Sequence, residues 1–111
     1  MLCLGRRGFA AVALALVLCL GGCATYRAAR LYRRGSIALE RGESVRAVAD
    51  LERAAVLAPH ASEIQNHLGL AYAASGRDED ALHAFRRAVE LDCDNRQALH
   101  NLAAAERRAE P

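Results

Sequence analysis

The sequence predicts an all-α protein: two helix–turn–helix units and a C-terminal helix, behind an apolar N-terminal segment. Three observations predict it. Ala and Leu dominate, with few β-branched residues and only two prolines, a composition that favours helix. Residues 28–61 align on residues 62–95 at a shift of 34. A basic start followed by an apolar run separates the first 22 residues from the rest. With 111 residues the chain holds one small domain at most.

The N-terminal segment comes first. Arg6 and Arg7 give it a positive start, and residues 9–20 are uninterruptedly apolar. That run is shorter than the ~20 residues a membrane span requires and has the length of a signal-peptide core. Gly21 and Gly22 are expected to end its helix. Leu20-Gly21-Gly22-Cys23 then resembles the lipobox of bacterial lipoproteins: an aliphatic residue, two small residues and a Cys. The resemblance implies a signal peptide over 1–22, cut between Gly22 and Cys23. It also implies a diacylglycerol thioether on Cys23 and a further N-acyl chain such as palmitate on the new amine. Ala24, where Asp would favour inner-membrane retention, points to the periplasmic face of the outer membrane. Residues 23–27 are then a lipidated Cys with a short tether. On this reading Cys3 and Cys19 are discarded apolar residues. Cys19 and Cys23 as a metal pair lack the polar support that metal ligands need. Arg6-Arg7-Gly8-Phe9 partly matches a twin-arginine signal, but Gly5, Ala10 and Ala11 depart from its flanks. An uncleaved, membrane-anchored form is the alternative.

In the mature chain, Gly35 aligns with Gly69, Gly42 with Gly76, Ala47 with Ala81, Leu51 with Phe85 and Ala54 with Ala88. These are the close approaches and turns that a helix pair must control. The first helix is expected from Thr25, as N-cap, to Arg41, and the second from Ser44 to Leu57, where Pro59 forbids continuation. The third runs over Ser62–Ser75 and the fourth over Asp78–Leu91, with Asp78, Glu79 and Asp80 in its first turn. The fifth spans Asn95–Arg108, with Leu99, Leu102 and Ala103 at i, i+3, i+4 spacing and a polar opposite face.

The second unit resembles the tetratricopeptide repeat: Leu68-Gly69-x-x-Tyr72, then Ala81, Phe85 and Ala88 at the family's spacings. It departs at Cys93, where Pro is usual. The first unit keeps Gly35, Ala47, Leu51, Ala54 and Pro59 but has Arg34 for Leu and Ala38 for Tyr. The resemblance implies a short superhelix: a divergent repeat over 28–61, a second over 62–95, and a capping helix and tail over 96–111. About three repeats usually make such an array stable, so marginal stability is expected.

In that family the first helix of each pair lines a concave groove. The matching positions are Tyr32, Ser36 and Leu39, then Asn66, Leu70 and Ala73, then His100 and Ala104. Tyr32, Asn66 and His100 lie one repeat apart and are expected to form a row that binds a peptide segment of an envelope protein. The row lacks the basic and Asn pattern that captures a peptide C-terminus. Arg27, Arg30, Arg34 and Arg41 share one face of the first helix and are expected near an anionic bilayer, or in ion pairs with nearby acids.

Several classes are excluded. The formal net charge is +2, and without Arg6 and Arg7 the remaining 13 arginines meet 13 acids, so no basic field attracts nucleic acid. His60, His67, His83 and His100 lack metal-ligand spacing, and no metal or other cofactor is expected. Cys93 reads as a tolerated turn residue, with an intermolecular disulfide as the alternative. No catalytic constellation or phosphate loop occurs in the mature chain, so no enzymatic activity is expected. The expected function is a membrane-anchored adaptor or assembly factor of the cell envelope, similar to pilotins of pili and secretion systems. The alternative is a non-enzymatic scaffold for a wall or outer-membrane biogenesis complex.

Overall fold

The computed structural model describes the backbone of residues 2–111 and the side chains of residues 14, 16, 17, 19 and 21–111. The side chains of Cys3, Arg6, Arg7 and most of the apolar run lie outside the described residues. Five helices follow in order: α1 (Leu2–Glu40), α2 (Ser44–Leu57), α3 (Ser62–Ala74), α4 (Asp78–Leu91) and α5 (Arg96–Ala109). No strand occurs among the described residues.

The expected break between apolar run and first helix is absent. α1 passes through Gly21 and Gly22 as one helix of 39 residues. Two glycines cost roughly 2 kcal/mol in a helix interior, which the well-formed helix on either side outweighs. Thr25 is therefore no N-cap. Its hydroxyl donates back to the Gly21 carbonyl at 3.0 Å, as a mid-helix Thr does. Leu14, Leu16 and Val17 are exposed.

The two turns within the pairs were legible as glycines. Gly42 and Gly76 have φ of 75° and 74°, in the left-handed region. Each closes the preceding helix with a pair of Schellman bonds. The Glu43 amide donates to the Ala38 carbonyl at 2.9 Å and that of Gly42 to Leu39 at 3.0 Å. The Arg77 amide donates to Tyr72 at 2.9 Å and that of Gly76 to Ala73 at 3.1 Å. Ser44 is not a cap as expected. It is the first helical residue, Glu43 holds the N-cap position, and no side chain caps α2. Asn95 does cap α5, accepting from the Ala98 amide at 3.0 Å. The same side chain donates to the Ser62 hydroxyl at 2.9 Å, which donates to the Ala88 carbonyl at 2.8 Å. One Asn thus ties α5 to α3 and α4.

Within each pair the helices touch at glycine. A Cβ on Gly69 would sit 2.5 Å from Phe85 Cε1, and one on Gly35 would sit 2.6 Å from Leu51 Cγ. Phe85 and Leu51 are fully buried at these contacts, flanked by Ala47, Ala54, Ala81 and Ala88. The pairs then stack. α3 touches α1 and α5 on one side of the array while α2 packs on α3 and α4 on α5. Tyr72 clasps this stack. Its hydroxyl donates to Glu52 Oε1 at 2.7 Å, and the Arg77 guanidinium lies 4.5 Å over its ring. Burial and the bond to Glu52 push its pKa up to about 12. α5 differs from its expectation. It buries Ala98, while Leu102 and Ala103 are half-covered and Leu99 is exposed. No other element among the described residues covers that stripe.

Two outcomes test this packing. Gly69→Ala should lower stability by about 1–3 kcal/mol, because the aromatic ring cannot give way without repacking; thermal unfolding followed by circular dichroism measures it. Gly76→Ala, at an open turn, should lose only about 1 kcal/mol. The second outcome concerns alkali. Tyr72 holds its proton more tightly folded than unfolded, so its contribution is complete below pH 10 and is lost as pH rises through about 12. Tyrosinate absorbance should show the last tyrosine ionising near pH 12, and Tyr72→Phe should remove that step.

Candidate interaction groove

α1, α3 and α5 present one continuous face, and on it the groove residues fall into two kinds. Tyr32, Ser36, Leu39, Leu70 and Ala73 are half-buried, and His100 is exposed. Asn66 differs: only 2% of it is accessible. Its Oδ1 accepts from Asn101 Nδ2 at 2.9 Å, so it joins α3 to α5 beneath the surface. The expected row of Tyr32, Asn66 and His100 is therefore interrupted. A buried amide must find a partner, and the nearest donor lies on the next helix, which turns Asn66 inward.

His67 takes the place in the row. The Tyr32 hydroxyl lies 3.4 Å from its Nδ1, the rings meet edge to face with centroids 5.0 Å apart, and Tyr32 also donates to Glu63 Oε1 at 3.3 Å. Burial and the Glu63 charge raise the Tyr32 pKa above its ordinary value. His67 Nδ1 lies 3.0 Å from the Glu63 carbonyl of its own helix. Beyond it opens a hollow of about 430 Å³ lined by His67, Leu70, Arg96, Gln97, His100 and Asn101. An apolar floor with donors around it suits an extended segment carrying acidic or amide side chains. Of these residues the sequence singled out Leu70 and His100 for the groove. His67 and Asn101 stand one place after the aligned Asn66 and His100, a displacement that a single-residue alignment does not reveal. His67 and His100 share this hollow, yet no group of three or more metal-ligating residues occurs among the described residues.

The arginines of α1 have unlike surroundings. Arg27, Arg30, Arg34 and Arg41 are all exposed. Arg34 alone among them has an ion-pair partner among the described residues: its Nη2 lies 3.1 Å from Asp50 Oδ1. The Asp50 side chain is only 5% accessible, against 47% for Arg34, and its second oxygen is buried with no partner. The expected pairing of Arg30 or Arg41 with an acid is not found among the described residues. Cys23 is exposed on α1, one turn before Arg27, and Gly22 is exposed beside it. Cys93 is exposed in the turn between α4 and α5.

Residues 62–95 match the family model of the tetratricopeptide repeat. A search of curated proteins finds no match. The family match and the five-helix all-α architecture identify the fold as a short tetratricopeptide superhelix. Such repeats generally mediate protein–protein binding, which suggests an interaction role.

Arg34 stands where the repeat usually has Leu, and Asp50 is the consequence. Arg34→Ala should lower stability by about 1–3 kcal/mol in urea unfolding, because it leaves Asp50 buried and unpaired. The double variant Arg34→Leu with Asp50→Leu should be at least as stable as the natural chain. A double variant weaker than Arg34→Ala alone would show that the ion pair itself stabilises the unit.

Proposed function

We propose that this chain is a lipid-anchored adaptor of the bacterial cell envelope that holds a peptide segment of another envelope protein in its concave groove. The observation that carries the reading is the hollow between α3 and α5, open beside Tyr32 and lined by His67, Leu70 and His100. It supplies an apolar floor and several donors, and no side chain of the chain itself fills it. Such a hollow binds a partner without any chemistry of its own.

The anchor rests on Leu20-Gly21-Gly22-Cys23. Acylation of Cys23 with diacylglycerol and an N-linked chain would give the two or more lipid chains that stable anchoring takes. No helix among the described residues is long and apolar enough to cross a membrane. Ala24 after the Cys favours the outer membrane, facing the periplasm. Residues 23–27 are helical rather than extended. Cys23 and Arg27 are then only about 6 Å apart along the axis, against ~15 Å for an extended tether. An array held so close meets its partners at the bilayer. A role in assembling a pilus or secretion channel, as pilotins have, fits that placement.

Two measurements test it. Mass spectrometry of the N-terminus should find acylated Cys23, and an intact chain starting at Met1 refutes the anchor. A photoreactive residue at Leu70, on the groove, should trap one dominant envelope protein in living cells, and the same residue at Glu90, on α4, should not. Asn66 is unsuitable for such a probe because its burial makes any replacement a folding defect.

A further inference from the structure

Charge is unevenly divided along the array. Residues 24–61 carry seven arginines against four acids, net +3, and residues 62–111 carry six against nine, net −3. The helical array converts this sequence asymmetry into a spatial one, because each unit contacts only its neighbours.

The basic end has a definite centre. α1 and α2 run antiparallel, and where the start of the first unit meets the end of α2 lies a hollow of about 210 Å³. Arg27, Leu31, Arg53, Val56 and Leu57 line it. Arg30 stands on α1 one turn further along and is exposed, as are Arg27 and Arg53. None of the three has an ion-pair partner among the described residues. Of the other four arginines at this end, Arg33 is exposed but does not line the hollow, and the remaining three are paired or distant. Arg34 is held by Asp50, and Arg46 by Glu43 at 3.2 Å. Arg41 lies fourteen residues beyond Arg27, about 21 Å along the helix. Between the free arginines, Val56 is 79% exposed. A largely exposed Val sharing a hollow with Arg27 and Arg53 suits an interface in which apolar chains lie just beneath phosphates.

We propose that this corner of the first unit, centred on Val56 and bounded by Arg27, Arg30 and Arg53, docks on the surface of an anionic phospholipid bilayer. The arginines meet the phosphates and Val56 enters the headgroup layer. Cys23 lies one turn before Arg27 on the same face of α1, so a lipid there and these side chains reach the bilayer together. The inference rests on the membrane anchoring proposed above, but its surface is the end of the array and not the groove. It narrows the arginine face expected from the sequence to Arg27 and Arg30 and adds Arg53, from a different helix. The acidic units then point away from the anionic surface, which repels them.

The test uses the full chain in vesicles of phosphatidylcholine alone or mixed with phosphatidylglycerol. A benzoylphenylalanine at Val56, with Glu90 as the distant control, reports lipid contact through phospholipid adducts found by mass spectrometry. Adducts at Val56 should rise at least about fivefold when phosphatidylglycerol is added, and those at Glu90 should not. Arg27→Gln with Arg53→Gln should abolish the rise while helicity and flotation with the vesicles are kept. Flotation without any rise at Val56, or a rise that survives the double variant, overturns this surface and leaves the anchor standing. A chain that floats with neither vesicle overturns the anchor and this surface together. Crosslinks from Val56 to a second copy, in place of lipid, would replace it with end-to-end stacking of basic on acidic ends.

Discussion

The array depends on two places where a helix backbone meets a large side chain with nothing between them. Gly69 lets Phe85 lie against α3, and Gly35 lets Leu51 lie against α1. Each contact sets the separation within a pair, and the alanines beside it keep that separation along the whole interface. The groove follows from this. α1, α3 and α5 become neighbours only because α2 and α4 are drawn tightly behind them. A Cβ at either glycine would push a pair apart and widen the stack that carries Tyr32, His67 and His100.

The first unit uses the same geometry with different chemistry. Arg34 replaces the usual Leu; it stays exposed, and its guanidinium meets one counter-charge among the described residues. Asp50 supplies it from α2, but one of its oxygens remains without a partner. Buried pairs of this kind rarely add stability over packed apolar residues. Ala38, where Tyr is usual, removes the clasp that Tyr72 makes in the second unit, where its hydroxyl reaches back to Glu52. The second unit therefore grips the first, and the first has no equivalent hold on anything before it. The family match covers residues 62–95, the unit that keeps Leu68 and Tyr72. The asymmetry places the weaker unit at the end next to Cys23.

Much of this was legible, and the reason lies in local chemistry. The bounds of α4 follow from three acids at its start and an apolar period of one helix face. The two left-handed turns follow from Gly42 and Gly76, since no other residue type sits there without strain. What failed depends on partners distant in sequence. Asn66 was placed on the groove by alignment, but its burial is decided by Asn101, 35 residues later. Arg34 was placed on an open arginine face, but Asp50 sits across on α2. The continuation of α1 through Gly21 and Gly22 reflects a balance between glycine cost and helix on both sides, which a rule about glycine alone decides wrongly.

The charge division gives the whole chain a direction that neither the fold nor the groove supplies. A two-unit array is close to symmetric end for end, so a groove by itself does not say which end faces a surface. The sequence breaks that symmetry twice in the same sense: Cys23 and an excess of arginine both lie at the end that holds the first unit. The helix α1 joins the two into one body, with Arg27 a single turn from Cys23. Because the acids gather in α4 and the segments flanking α5, a bilayer that attracted one end would repel the other. The groove hollow lies between α3 and α5, on the acidic side of the array. A partner would then be met at the membrane but held away from the headgroups, by a surface whose arginine and histidines are not already occupied by lipid.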